Sequence, residues 1–260
     1  LIGLAKRKLP CTIIPMPISG VSAPVTAAGN VALGTAEILG TMVGVRSVVP
    51  DARISGGVIS GILDMKTGNA LFAAPEVVKQ DIAYALLFRE FYGMDFGIGT
   101  GYIDAPSPGI QACIEKTIKM VASYALGKVN YPVGILAGGK AFSPEQALIE
   151  LEMAEDLHRS LADLSADQVN DDAVAVDVVR EMGIGGNCIG SKQTLKWFRR
   201  AQWFPEVLER GAIHLNLDTV GKAHEKWTEI LNSREPYHLP EDRGKEIDRI
   251  VEIASNSILV

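Results

Sequence analysis

Two acids, Asp64 and Asp104, stand in glycine-containing stretches just beyond apolar runs, where a carboxylate can face a pocket. Aromatic side chains occur near them, at Phe72, Tyr102 and Phe142. Carboxylates offset a positive charge and ring faces attract it through their quadrupoles, so this set suits a cationic ligand. The same two acids equally suit caps of helices or turns. Gly97-Ile98-Gly99-Thr100-Gly101 has the look of a phosphate cradle, but the dinucleotide fingerprint needs glycine at its sixth place, where Tyr102 stands. Gly139-Lys140 lacks the upstream glycine and the following Ser or Thr of a P-loop. Tight turns where strands meet loops are the simpler reading of both.

Metal chemistry has less to build on. His158, His214, His224 and His238 are isolated, with no His-x-x-x-His or Cys-x-x-Cys spacing. Asp156-Leu157-His158 opens like the cobalamin-ligand motif Asp-x-His-x-x-Gly, yet Leu161 occupies the glycine position. No metal-binding or cofactor-binding residues are expected in this chain. No Ser–His–Asp set can be built from neighbours, and no residue is assigned a catalytic role.

These loops need elements to position them, and the chain supplies a ladder. Short apolar runs begin near residues 11, 53, 95 and 131, namely Cys11 to Ile14, Arg53 to Ile59, Asp95 to Ile98 and Tyr131 to Leu136. Each precedes a helix-period segment: 25–45, 75–92, 108–126 and 144–164. Such alternation predicts parallel strands with crossover helices, and Pro75 and Pro144 stand where a first helical turn accepts proline. The candidate loops therefore follow strand carboxyl ends, where ligands bind in parallel α/β folds. A closed eight-stranded barrel at roughly 40 residues per unit needs about 320 residues, above the typical ~250. The choice is an open doubly wound sheet or half a barrel completed by something else. Half a (β/α)8 barrel over residues 1–164 is the expectation, followed by a helical extension over 165–260. The start at Leu1 rather than Met fits a fragment. In the extension, 173–182 and 193–198 read as helices, Asn232 to Gly244 as a linker and 246–256 as a last amphipathic helix.

Composition narrows the classes further. Twenty-five basic against 31 acidic residues gives a net charge of −6, with no basic cluster longer than Lys6-Arg7-Lys8, which argues against nucleic acid. The uncharged stretch from Leu9 to Ala36 is long enough for a membrane span, but Pro10, Pro15, Pro17 and Pro24 punctuate it. No signal-peptide pattern opens the chain. Three scattered cysteines, Cys11, Cys113 and Cys188, fit a reducing compartment. A cytoplasmic protein without a membrane partner is expected.

An ordered set of short motifs resembles the trimethylamine methyltransferase superfamily. Pro17-x-x-Gly20, Ala23-Pro24-Val25-Thr26-Ala27-Ala28-Gly29 and Ala36-Glu37 begin it. Asp64-Met65-Lys66-Thr67-Gly68, Pro75-Glu76, Glu115-Lys116 and Asp177 to Gly183 with Gly185-Gly186 continue it, in order, as far as Phe198. The match resembles the carboxyl-terminal half of a full member. The resemblance implies a (β/α)8 barrel that moves a methyl group from a methylated amine to the cobalt of a corrinoid held by a separate protein. Some members carry pyrrolysine near the third strand; residues 96–104 are ordinary here, which resembles the branch that uses quaternary amines such as glycine betaine. Under that reading Asp104 and Asp64 offset the cation, Tyr102 and Phe142 enclose the methyl groups, and Ser19 and Thr100 belong to the substrate-binding loops, with Ser19 to Pro24 shaping the floor. The expected partners are the corrinoid protein, the small amine, and either the remaining half-barrel chain or further copies of this one. The chain departs from the family at Gly186-Asn187-Cys188-Ile189-Gly190 and at Lys196-Trp197, where members commonly have histidines. Two rival readings remain: an inactive half-barrel subunit, and a barrel enzyme acting on a phosphorylated or anionic metabolite through Lys66, Lys140 and the glycine loops.

Overall fold

In a computed structural model, residues 1–127, 134–161, 169–211, 218–235 and 237–258 are described. In chain order the elements are α1 (Ile2–Lys6), β1 (Cys11–Ile13), β2 (Ile18–Ser19), α2 (Ala27–Val48), β3 (Ile54–Val58), β4 (Gly61–Leu63), β5 (Ala70–Leu71), α3 (Pro75–Tyr92) and β6 (Phe96–Ile98). Then come α4 (Ile110–Ala125), β7 (Ile135–Leu136), a 3-10 turn Ala137–Gly139, β8 (Ala141–Phe142) and α5 (Pro144–Leu161). The rest is helical: α6 (Asp171–Val174), α7 (Val176–Met182), α8 (Lys192–Ala201), α9 (Thr219–Ser233) and α10 (Glu241–Ile258). The chain forms two compact units, Leu1–His224 and Glu225–Val260.

In the first unit, β1, β3 and β6 make a parallel sheet in that order, with α2 and α3 as the crossovers. Consecutive strands are therefore neighbours, as the 40-residue ladder predicts. Pro15 and Pro17 cannot donate to a ladder, so the first strand breaks into β1 and β2. Their carbonyls still accept, from the N–H of Ile59 and of Gly61, which holds β2 beside β4 in a small second sheet. β5 folds back antiparallel on β4, a hairpin that the apolar pattern does not predict.

The fourth unit is described only in part. Residues 131–133 lie outside the described residues; the described end of that run, β7, pairs antiparallel with β8. Gly134, Gly138 and Gly139 all take positive φ, so the segment folds into a tight hairpin rather than a long strand. Among the described residues no strand follows Phe142. The predicted linker is shorter than Asn232–Gly244, because α9 runs to Ser233 and α10 starts at Glu241.

The core lies between the sheet and its crossover helices. Ile13, Val58, Phe96 and Ile98 from the strands meet Ile38 and Met42 of α2 and Tyr84 and Phe88 of α3. The Phe88 and Phe96 rings stack at 4.2 Å. Pro75 opens α3, and left-handed Gly93 closes it as the Met94 N–H reaches back to the Phe88 carbonyl. α2 starts at Thr26, whose hydroxyl accepts from the Gly29 N–H. By length and composition α2 suffices to cross a membrane, with mean hydropathy 1.3. Its Asn30, Gly34, Ile38, Met42 and Val45 are nevertheless buried within the unit. The second unit contains the end of α9 and α10, an amphipathic helix with Ile247, Ile250 and Val251 exposed.

Candidate functional site

The loops beyond the strand ends converge on one aromatic pair. Phe72, between β5 and α3, and Tyr102, between β6 and α4, hold their ring centroids 5.9 Å apart at a tilt of 53°. A third loop closes on both rings. A β-carbon at Gly139 would lie 2.6 Å from the Tyr102 ring, and one at Gly138 would lie 3.1 Å from the Phe72 ring. That loop is tied to the second one by Ala137 and Gly138 N–H groups donating to the Ala105 and Ile103 carbonyls at 2.9 and 2.7 Å.

Asp104 is the staple of this arrangement. Its Oδ1 accepts from the Phe72 N–H at 2.6 Å and its Oδ2 from the Ala73 N–H at 2.9 Å. Its own N–H, with that of Ala105, donates to the Glu115 carboxylate of α4. Burial pushes the Asp104 carboxyl up, while the two backbone donors pull it down.

Of the residues expected at the site, Tyr102 and Asp104 thus meet, through Phe72. The others are placed separately. Asp64 sits in the β4–β5 hairpin, where its carboxylate accepts from the Lys66 N–H and the Thr67 hydroxyl; those bonds hold it below the usual carboxylate range. Phe142 lies on β8 and is 65% exposed. Thr100 is buried at the end of β6, its N–H donating to the Ile98 carbonyl. Ser19 is fully buried, and its Oγ accepts from Asn30 Nδ2 at 2.9 Å and Gln80 Nε2 at 2.8 Å. In this structure that hydroxyl joins β2 to α2 and α3. In the loop after β6 the Tyr102 N–H donates to the Gly99 carbonyl, and those of Asp104 and Ala105 to Glu115.

Beneath the loops runs a buried polar belt absent from the sequence-based expectation. Lys119 of α4 donates to the Phe72 carbonyl at 2.7 Å and the Tyr102 carbonyl at 3.1 Å, with its Nζ 3.5 Å from Asp81 Oδ2. Ser60, in the link between β3 and β4, donates to Asp81 Oδ1 at 2.6 Å. Lys116 and Glu150, both with 0% side-chain exposure, pair at 3.1 Å, and Glu150 also accepts from the Gly134 N–H. Burial drives Asp81 up and both lysines down, against the attraction of their partners. The sequence does carry a signal for this belt. Ala112, Lys116, Lys119 and Ser123 recur at i, i+4, i+7 and i+11, so charged residues occupy the inward stripe of α4.

Further along, Asn187 and Cys188 lie in the loop between α7 and α8, and Thr194 Oγ1 donates to the Cys188 carbonyl at 2.6 Å. An apolar cavity of about 440 Å³ lies apart from the aromatic pair, lined by Ile110, Cys113, Ile149, Met153 and Val220 among others.

The unit Leu1–His224 is thus an α/β domain whose parallel strands carry their most elaborate loops at their carboxyl ends. Comparison with known proteins gives the family: Trimethylamine methyltransferase (MTTB) matches residues 1–258, and the chain belongs to it. A trimethylamine methyltransferase of Methanosarcina barkeri is 28% identical over 259 residues, 97% of this chain and 51% of the relative. A trimethylamine methyltransferase of Desulfitobacterium hafniense is 28% identical over 254 residues, covering 95% of this chain and 50% of the relative. A glycine betaine methyltransferase of the same species is 28% identical over 264 residues, covering 95% and 54%. The chain spans about half the length of these relatives.

Proposed function

We propose that this chain supplies the carboxyl-terminal part of a (β/α)8 barrel that removes a methyl group from a quaternary or tertiary methylamine of the glycine betaine kind. Three parallel strands adjacent in chain order support the barrel reading, since a barrel needs neighbours in sequence to be neighbours in space. The observation that carries the substrate class is the Phe72–Tyr102 pair, fixed at the strand carboxyl ends beside Asp104.

A quaternary nitrogen, or a tertiary amine bound as its protonated ammonium, departs with the electron pair of the broken C–N bond as a neutral amine, so no further proton need be delivered to it. A catalytic acid is dispensable. The methyl acceptor in this reading is a reduced corrinoid carried by a separate cytoplasmic protein, whose cobalt supplies the nucleophile. The work left to this chain is to hold the cation, aim one methyl outward and exclude water. The cation loses its charge as the methyl leaves, so grip that is tightest on the ground state slows the reaction. Ring faces attract the methylated nitrogen more softly than a bare carboxylate does. The Asp104 charge, already shared with two backbone N–H groups, suits that need.

The test is to mix the purified full-length protein with chemically reduced cobalamin and a panel of quaternary and tertiary amines, following the absorbance of methylated cobalamin. Methylation with one amine supports both reaction and substrate class. Silence across the panel, in a preparation with the whole barrel present, overturns the reading in favour of a non-catalytic subunit.

A further inference from the structure

We propose that Lys119 is the positioning residue of the cation site: one buried ammonium, bonded to the Phe72 and Tyr102 carbonyls and paired with Asp81, sets the spacing of the two rings. The inference rests on the reading that these rings receive a methylated ammonium group.

Phe72 and Tyr102 come from loops 30 residues apart in sequence, and neither loop has a regular ladder to the other. Two side chains bridge them instead. Asp104 reaches the Phe72 and Ala73 N–H groups, and Lys119 takes the Phe72 and Tyr102 carbonyls. The Phe72 peptide neighbourhood is therefore gripped from its donor side by a carboxylate and from its acceptor side by an ammonium. A lysine has three donors and no acceptor, and here two go to the two ring-bearing residues while the third side faces Asp81 at 3.5 Å. Lys119 is 2% exposed, so water cannot replace these bonds without opening the core. Asp81 is in turn fixed by Ser60, in the two-residue link between β3 and β4, so the ring spacing is referred to the point where those two strands meet. A cation held by ring quadrupoles is sensitive to that spacing, because the attraction acts within about 6 Å of a ring centroid.

The experiment uses the full-length protein and three substitutions: Lys119→Met, which keeps the stem and removes the donors; Lys119→Gln, which restores an N–H₂ group on a shorter stem; and Ile149→Ala, in the separate cluster of Ile149, Val207 and Ala223. Binding of tetramethylammonium and glycine betaine is measured by calorimetry, and thermal unfolding is recorded for each. The expectation is a Kd about tenfold weaker in Lys119→Met, partial recovery in Lys119→Gln, and unchanged binding in Ile149→Ala despite its lower melting temperature. Equal binding by wild type and Lys119→Met overturns the inference while leaving the substrate reading intact. Weakening in Ile149→Ala as large as in Lys119→Met also overturns it, since the loss would then follow stability alone. If neither Lys119 variant folds, Gly139→Ala, which pushes on the Tyr102 ring directly, must weaken binding; unchanged affinity there overturns it. Absence of binding by the wild type overturns the cation-site reading and the inference together.

Discussion

Lys116 and Glu150 offer the sharpest test of how this domain carries its charges. Both side chains have 0% exposure, and they meet at 3.1 Å. Glu150 takes two further donors, Gly134 N–H at 2.9 Å and Gln146 Nε2 at 3.1 Å. Replacing Lys116 by Met leaves a buried carboxylate with two neutral donors, and replacing Glu150 by Leu leaves a buried ammonium with none of its own bonds. Breaking such a pair from one side costs about 3–5 kcal/mol. Removing both charges, in Lys116→Met with Glu150→Leu, orphans the Gly134 N–H and leaves buried Gln146 Nε2 only its 4.0 Å contact to Cys113 Sγ, at about 1–3 kcal/mol each or about 2–6 together. The singles thus sum to about 6–10 kcal/mol while the double loses about 2–6, a coupling of about 4 kcal/mol between the midpoints. Urea unfolding followed by circular dichroism at pH 7 reads all four proteins. Singles that each cost under about 1 kcal/mol, as exposed pairs do, refute the argument, and so does simple additivity. Glu150 also anchors the hairpin that presses Gly138 and Gly139 on the aromatic rings, so the singles should weaken amine binding as well.

Tyr84→Phe removes a hydroxyl that donates to the Asn30 carbonyl at 2.6 Å and should cost about 1–3 kcal/mol by urea titration. Burial raises the Tyr84 phenol above its ordinary 10.0, so its contribution is complete below pH 10 and falls away as pH climbs toward the raised value; Tyr84→Phe should show a flatter alkaline limb in melts from pH 9 to 11. Asp104→Ala frees the Phe72 and Ala73 N–H groups and should raise the Michaelis constant for the amine; unchanged steady-state kinetics would remove Asp104 from the site. Ile38→Ala opens a cavity among Met42, Tyr84 and Phe96 and should cost about 2–5 kcal/mol in the same urea assay.

The ladder was legible where one element carried several agreeing signals. Pro75 at the first turn and an inward stripe of Val77, Tyr84 and Phe88 define α3 to the residue, and the β-rich runs at 11, 53 and 95 lie on or within a residue of β1, β3 and β6. The pattern failed where two-residue strands carry too few side chains for any period, as in β2, β5 and β8. Half of the fourth run, 131–133, lies outside the described residues, and its end is strand β7, paired with β8 in a glycine-rich hairpin. The site was partly legible. Tyr102 and Asp104 share a loop after a strand, whereas Phe72 joins them through backbone bonds that no spacing encodes. Ser19 reads as a loop hydroxyl, but its partners Asn30 and Gln80 lie on two different helices.

The buried belt explains why so much of the site is held by α4 rather than by the loops themselves. Loops of this length cannot satisfy their own backbone groups, and here Glu115 takes two N–H groups while Lys119 takes two carbonyls. Both residues stand on one sixteen-residue helix, so two loops share a single rigid reference. Burying the lysines costs stability that an apolar stripe would have contributed, and Asp81 and Glu150 recover part of it. A hydrophobic α4 would leave the Phe72 and Tyr102 carbonyls without the ammonium that joins them. The buried charges therefore fit a fold in which ring geometry is a quantity held constant.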